Sequence, residues 1–422
     1  MTEEQILQTL QKELAPAVGC TEPVAVAYAA AKARAVLGRK PERARVNVSR
    51  NILKNAMGVG IPGTKLVGLE MAAALGIIGG NSEAILEVLK DVSEGDIREA
   101  EIFAQNGIAV ALKDTSKKLY IEVILETEED SAAVVIEDSH TNITRIIHGP
   151  VIVYEQGSCE ELSSAESGGE ALSVEQICSF IETVSAEKLR FLEECIRMNR
   201  AAAQEGLRGS YGLRVGRSLL ESMKDKKPAE DVPVYAAAMA AAAADARMSG
   251  CLMPVMTVCG SGNQGITATL PVIAAAEAYG ISEEMLYRSL ALSCLITIHV
   301  KRHIGKLSAL CGCGMGSSIG VCCALVHMQG GGPEQIRSAV RNMIADVSGI
   351  ICDGAKAGCS LKIGTVVSGA FQCAMLALQD SSAGDLDGIV TGDVESSIRN
   401  LGELGNRGMA DTDRVILDMM VS

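Results

Sequence analysis

The sequence contains no tryptophan and few other aromatics, Phe, Trp and Tyr together making up 3% of it. Its core must therefore be assembled from aliphatic and small side chains. A basic excess is also missing: 38 Lys and Arg stand against 52 Asp and Glu, a formal net charge of −14. Nucleic acids and anionic membranes are poor partners for such a chain, because both are bound through Lys and Arg patches that release counterions. Long hydrophobic runs are absent as well. Ala236–Ala244 is broken by Asp245 and Arg247, and Ile266–Ala276 by Pro271 and Glu277. Neither reaches the roughly 20 residues of a membrane span. The opening Met-Thr-Glu-Glu-Gln is acidic and does not read as a secretory signal. No fixed-period repeat is found.

What is present is alanine, glycine and cysteine. Apolar residues make up 48% of the chain and glycines number 43, which suits closely packed Ala-rich helices. Fourteen cysteines without a secretory signal point to a reducing, cytoplasmic compartment. There they are thiols, ligands or nucleophiles, and most pack as small apolar residues.

The length of 422 residues suggests two or three domains at roughly 100–200 residues each. Residues 3–15 read as an amphipathic helix, and a second helix begins after Thr21 with Pro23 in its first turn. Residues 43–49 alternate as a strand does, and 119–125, 132–137, 143–147 and 151–154 are β-rich runs with polar breaks. The acidic, Ser/Gly-rich stretch over 156–173 reads as a linker. Helical patterns then cover 174–206, 212–223, 233–247, 265–279, 281–299, 316–329, 333–348 and 362–379, with no clear strand. The expected class is α+β: an N-terminal α/β unit with a small antiparallel sheet over 1–155, and a larger all-α unit over 174–422.

Several motifs carry chemistry. Cys352 and Cys359 lie in Ile-Ile-Cys-Asp-Gly-Ala-Lys-Ala-Gly-Cys, and Cys311 and Cys313 in Leu-Cys-Gly-Cys-Gly. Thiolates on glycine-rich loops suit a soft metal or an iron–sulfur cluster; the plain alternative is small residues in tight turns. Cys20 stands at a helix entry, where the dipole favours a thiolate, although a buried thiol beside a cap fits the pattern too. Asn51, Lys54 and Asn55 share a helical face and suit an amino-acid ligand, or else form a solvated first turn. Gly260-Ser-Gly-Asn-Gln-Gly265 matches the dinucleotide pattern, but the expected second strand and acidic residue are lacking. A loop facing an anion, with Asn263 and Gln264 as donors, is the better functional reading, beside a purely structural turn. His299, Lys301, His303 and Lys306 precede the Cys-Gly-Cys turn. They either line the same site or form a cationic helix end.

Taken together, Val18–Pro23, Ser49–Asn55, Gly260–Gly265, Leu310–Gly314 and Ile351–Lys356 resemble the L-cysteine desulfidase family, which is serine-dehydratase-like. The likeness runs through nearly the whole chain. More distantly, the chain resembles the α part of bacterial iron–sulfur L-serine dehydratases. The resemblance implies a [4Fe–4S] cluster on three cysteines with one iron open: Cys352, Cys359 and either Cys311 or Cys313. It also implies a functional role for Cys20, which becomes the candidate base. L-Cysteine would be eliminated to hydrogen sulfide, pyruvate and ammonia. Asn51, Lys54, Asn55 and Asn263 would hold the substrate ends, with Gln264, His299, Lys301 and His303 lining the site. A homodimer is compatible with this reading. One departure stands out: the dehydratases compared end in a cysteine that fills the open position, whereas this chain ends Met-Met-Val-Ser. The rivals are serine dehydration on the same scaffold, a pyridoxal-phosphate lyase using Lys54 or Lys356, and a non-catalytic cluster or zinc sensor.

Overall fold

The computed structural model describes residues 1–156, 172–305 and 308–421. Most of the expected linker lies outside the described residues, as do Lys306 and Cys159. At the linker's end Leu172 is buried and Ser173 caps the next helix.

The N-terminal elements are α1 (Glu3–Glu13), β1 (Leu14–Val18), α2 (Thr21–Leu37), β2 (Arg43–Val48), α3 (Arg50–Ala56), α4 (Leu69–Ile78), α5 (Glu94–Gly107), β3 (Ile108–Leu112), β4 (Tyr120–Glu126), β5 (Ser131–Glu137), β6 (Ile143–His148) and β7 (Val151–Glu155). Six strands form one sheet in the order β3-β2-β4-β5-β6-β7. It is antiparallel from β2 through β7, but β3 pairs parallel to β2, with Val46 opposite Val110. The sequence hides β3, because Ile-Ala-Val-Ala-Leu has no polar alternation and follows directly on a helix. Alternate residues of β2, β4 and β5, among them Val46, Val123 and Val134, are buried in one core with α2 and α4. Gly76 lets those two helices touch, since a Cβ there would lie 2.2 Å from the Ala27 carbonyl oxygen. At the far edge β7 is exposed along its whole length.

The remaining elements are α6 (Val174–Thr183), α7 (Leu192–Arg208), α8 (Val215–Ser222), α9 (Val232–Met248), β8 (Pro254–Val258), α10 (Gly262–Tyr279), α11 (Glu283–Ile304), α12 (Ser318–Met328), α13 (Pro333–Val347), α14 (Cys359–Leu378), α15 (Val394–Glu403) and α16 (Thr412–Val421). Helix α9 is the centre. It is apolar all round as far as Ala244, buried from Ala236 to Met248 with Asp245 and Arg247 near its end, and surrounded by α7, α8, α10 and α14. Helix α14 is long and apolar enough to cross a membrane by composition alone; here it is wedged against α9, α12 and α13.

Three expectations need correction. The second half is not wholly helical: β8 pairs antiparallel with β1, Leu14 opposite Val258. Five residues starting at a proline are too short to show a period. The first helix stops at Glu13, where Leu-Ala-Pro turns extended, because Pro16 cannot continue it. As a result Ile6, Leu7, Leu10 and Leu14 join the helical core. The single helix expected over 174–206 is two, α6 and α7, parted after Thr183 where Val184 and Ser185 are extended.

Candidate active site at a cysteine-rich junction

The site forms where α2 and α3 meet the helical body. Two loops zip together there. Leu310 and Ile351 make an isolated antiparallel bridge. Cys311 N–H donates to the Ile350 carbonyl at 3.0 Å, and Cys352 N–H to the Ala309 carbonyl at 2.7 Å. This ladder brings the two cysteine motifs side by side across about forty residues of sequence. Beyond Cys352, Asp353 is ion-paired with Lys356 and Lys362. Against the upward push of burial, these two ammonium groups hold its carboxyl down to about 2. Gly354 has φ +92°, and a Cβ on it would lie 2.2 Å from the Lys54 carbonyl oxygen, so the loop is pressed onto α3. Lys54 Nζ donates to the Cys352 carbonyl at 2.9 Å and pairs with Asp413 of α16 at 2.6 Å.

The four thiols perturb one another. A hydrogen bond from the Cys313 thiol is the main reason Cys311 falls to about 6, while the same bond keeps the proton on Cys313. Burial, then the Cys311 sulfur, push Cys352 up against the pull of Lys54 and Lys301. Burial pushes Cys359 up to about 12. Lys301 is buried; burial lowers its pKa, and the charges of Cys259, Cys352, Cys313 and Cys311 oppose that. No sequence pattern marked Cys259, which sits at φ +51° just before the glycine-rich loop.

Cys20 is the N-cap of α2, buried against Val59, Met248, Ala355 and Cys359. The expected thiolate is not what its surroundings favour. Burial pushes the thiol up to about 11, and Arg247 only partly opposes this. The helix terminus is outweighed because the sulfur is removed from water. Arg247 itself was missed in the sequence, hidden at the end of an Ala-rich helix. It is buried and donates to the Gly19 carbonyl at 2.7 Å and to Asn263 Oδ1 at 3.1 Å. Among the described residues no carboxylate pairs with it, and its Nε has no partner.

Asn51, Asn55, Asn263 and Gln264 are all buried. Asn55 donates to Glu22 at 3.2 Å, and its Oδ1 has no partner. Gln264 abuts the Cys-Gly-Cys turn: a Cβ on Gly312 would lie 2.8 Å from its Cδ, and its Oε1 is also orphaned. Buried polar atoms without partners are rare and call for an occupant. The structure thus brings together Cys20, Lys54, Asn55, Asn263, Gln264, Lys301 and the four loop cysteines, with Asn51 on the same short helix as Lys54.

His299 and His303 do not join them. Two residues along a helix is a turn of about 200°, so with Lys301 facing the thiols, the histidines face α15. His299 Nε2 lies 2.8 Å from Glu395 Oε2. Their expected place in the substrate site is corrected accordingly.

The donor set fits an iron–sulfur cluster better than one zinc ion. Among the described residues, no three cysteine sulfurs lie within 4.8 Å of one another. A tetrahedral zinc with bonds near 2.3 Å needs them about 3.8 Å apart, whereas a cluster spreads its thiolates over several irons. The adjacent lysines supply the positive charge that an anionic cluster needs.

Two glycine-hinged cysteine loops thus meet at the junction of the N-terminal elements and the helical body. The serine dehydratase alpha chain family matches residues 83–418, and the chain belongs to that family. It is also 43% identical over 420 residues to a UPF0597 protein of Bacteroides thetaiotaomicron, covering 99% of this chain and 97% of that one. A UPF0597 protein of Clostridium perfringens is 43% identical over 419 residues, covering 99% and 98%. One from Aeromonas hydrophila is 43% identical over 413, covering 97% and 94%.

Proposed function

We propose that the protein eliminates the β-substituent of a small L-amino acid, with L-cysteine as substrate and sulfide, pyruvate and ammonia as products. The observation that carries this reading is the two-loop ladder that sets four thiols beside buried cations and unpartnered amides. Cys352, Cys359 and one sulfur of the Cys311/Cys313 turn would hold a [4Fe–4S] cluster. When bound, a cluster with one open iron supplies a Lewis acid that makes the substrate thiolate a better leaving group.

The chain's own residues do the rest. The orphaned oxygens of Asn55 and Gln264 are acceptors and suit the substrate ammonium. Arg247, a buried cation with no acidic partner among the described residues, suits the carboxylate. Asn51 and Asn263 complete the polar wall. Lys54 is already engaged by Asp413 and the Cys352 carbonyl, so it positions the cysteine loop instead of holding substrate. Two-ended binding fixes the Cα–H bond for abstraction, an orientation effect worth several kcal/mol. Cys20 takes that proton in its thiolate form, which burial keeps in the minority and toward which Arg247 beside it pulls. Val59 and Met248 keep water away from its sulfur.

The test is an anaerobic assay of reconstituted protein for sulfide from L-cysteine and pyruvate from L-serine. Sulfide release with iron bound supports the reading. Pyruvate from serine without sulfide from cysteine selects the second reading, serine dehydration, which the family match favours. An iron-free protein with an aldimine absorbance would overturn both.

A further inference from the structure

Helix α11 turns a second face toward α15, and the proposed elimination makes no use of it. His299 and His303 are four residues apart and project from the same side. Glu395, in the first turn of α15, reaches across to them, and one ligand atom from each of the three lies within 4.8 Å of the other two. The two imidazoles stand edge to face with centroids 5.2 Å apart. Glu395 is itself held, since its Oε1 accepts the Val174 N–H at 2.7 Å. A hydrogen bond of this kind orients a ligating carboxylate.

We propose that His299, His303 and Glu395 form a binding site for a divalent transition-metal ion of the zinc type, separate from the cysteine pocket and with its fourth position open to water. Two imidazoles and a carboxylate are a ligand set such ions prefer. The adjustment required is small. His299 Nε2 and Glu395 Oε2 are now hydrogen-bonded at 2.8 Å. An ion about 2.0–2.1 Å from each ligand would set them about 3.3 Å apart in a tetrahedron. His303 and Glu395 are only partly buried and can yield that distance.

Arg302 and Arg399 act against a cation here. Arg399 is largely exposed and lies 3.5 Å from Asp393, so solvent and a carboxylate screen it. An ion in this place would clamp the C-terminal end of α11 to α15 and, through Val174, to the start of α6. The opposite face of that same helix end carries Lys301 into the cysteine pocket.

The experiment is equilibrium dialysis of anaerobic, cluster-loaded protein against zinc, with X-ray absorption at the zinc edge. We expect one equivalent of zinc with a first shell of nitrogen and oxygen only. His303→Gln and Glu395→Gln should each weaken binding by at least about the tenfold to hundredfold that loss of an outer partner costs. Iron content and circular dichroism of each variant establish that it is folded and loaded. Absence of zinc binding overturns the proposal. So does a sulfur-containing first shell, or binding unchanged in both variants; the three residues would then be a hydrogen-bonded tie alone. None of these outcomes depends on the elimination assay, so the two readings fail separately.

Discussion

The cysteines of the helical body all behave alike, whereas those of the junction diverge: Cys311 falls while Cys313, Cys352 and Cys359 rise. Cys195, Cys294, Cys322 and Cys323 are buried among aliphatic side chains. Burial above all pushes Cys195 up to about 12 and the other three well above the ordinary thiol value. They are packing residues. At the junction, the partly buried Cys311, Cys313, Cys352 and Cys359 lie beside ammonium groups, loop N–H groups and one another. There hydrogen bonding competes with desolvation, and Cys311 falls to about 6. Burial alone therefore does not separate structural from chemical cysteine; the polar company of the sulfur does.

The largest effect should come from the junction. Cys352→Ser and Cys359→Ser should each lose bound iron and at least about a thousandfold of elimination activity. Iron analysis and anaerobic turnover check this, and retained iron in either variant would remove the ligand assignment. Next, Cys20→Ala should keep its iron and lose about 10²–10⁴-fold in turnover, the usual worth of a positioned base. Because burial raises this thiol to about 11, wild-type turnover should climb with pH across the neutral range as the thiolate fraction grows. A flat profile would break the base role.

The body should respond only in stability. Cys322→Ala should lower unfolding free energy by about 1–2 kcal/mol with activity intact, as read by denaturant titration and the same assay. Smallest is a pH effect at His327, which burial holds below the ordinary histidine value and whose Nδ1 lies 2.9 Å from Ser289 Oγ. With the folded pKa depressed, the unfolded chain takes up the proton first. This histidine's contribution is therefore whole above about pH 6.5 and lost as pH falls below it. His327→Gln should flatten the acid limb of the stability profile by up to one proton.

Much of this was legible in advance. The long helices α9 to α14 announce themselves by apolar stretches, alanine runs in α9 and α10, bounded by glycine and proline, and β2 and β4 to β6 by alternation. The short β8 and the unalternating β3 do not, because pairing partners distant in sequence decide them. The four loop cysteines stood out as motifs; what brings them together is the Leu310–Ile351 bridge, a tertiary contact with no local signal. Arg247 was invisible because one arginine closing an apolar helix looks like a dipole partner. Its role is set by Gly19 and Asn263, which lie far from it in sequence. The histidines were misassigned for the opposite reason: nearness in sequence to Lys301 suggested a shared site, and the helical turn separates them.

Helix α9 has a final consequence. A Cβ on Gly206 would lie 1.9 Å from the Ala242 carbonyl oxygen, and one on Gly216 2.3 Å from the Ala242 nitrogen. Three backbones are thus stacked with nothing between them. Five residues further on, about 7.5 Å along the same rod, the helix delivers Arg247. Bulk added at Ala238 or Ala242 would slide that rod, and the guanidinium would arrive off its mark. The alanines act as a ruler, and this stretch is free to drift only among residues that leave its length and seating unchanged.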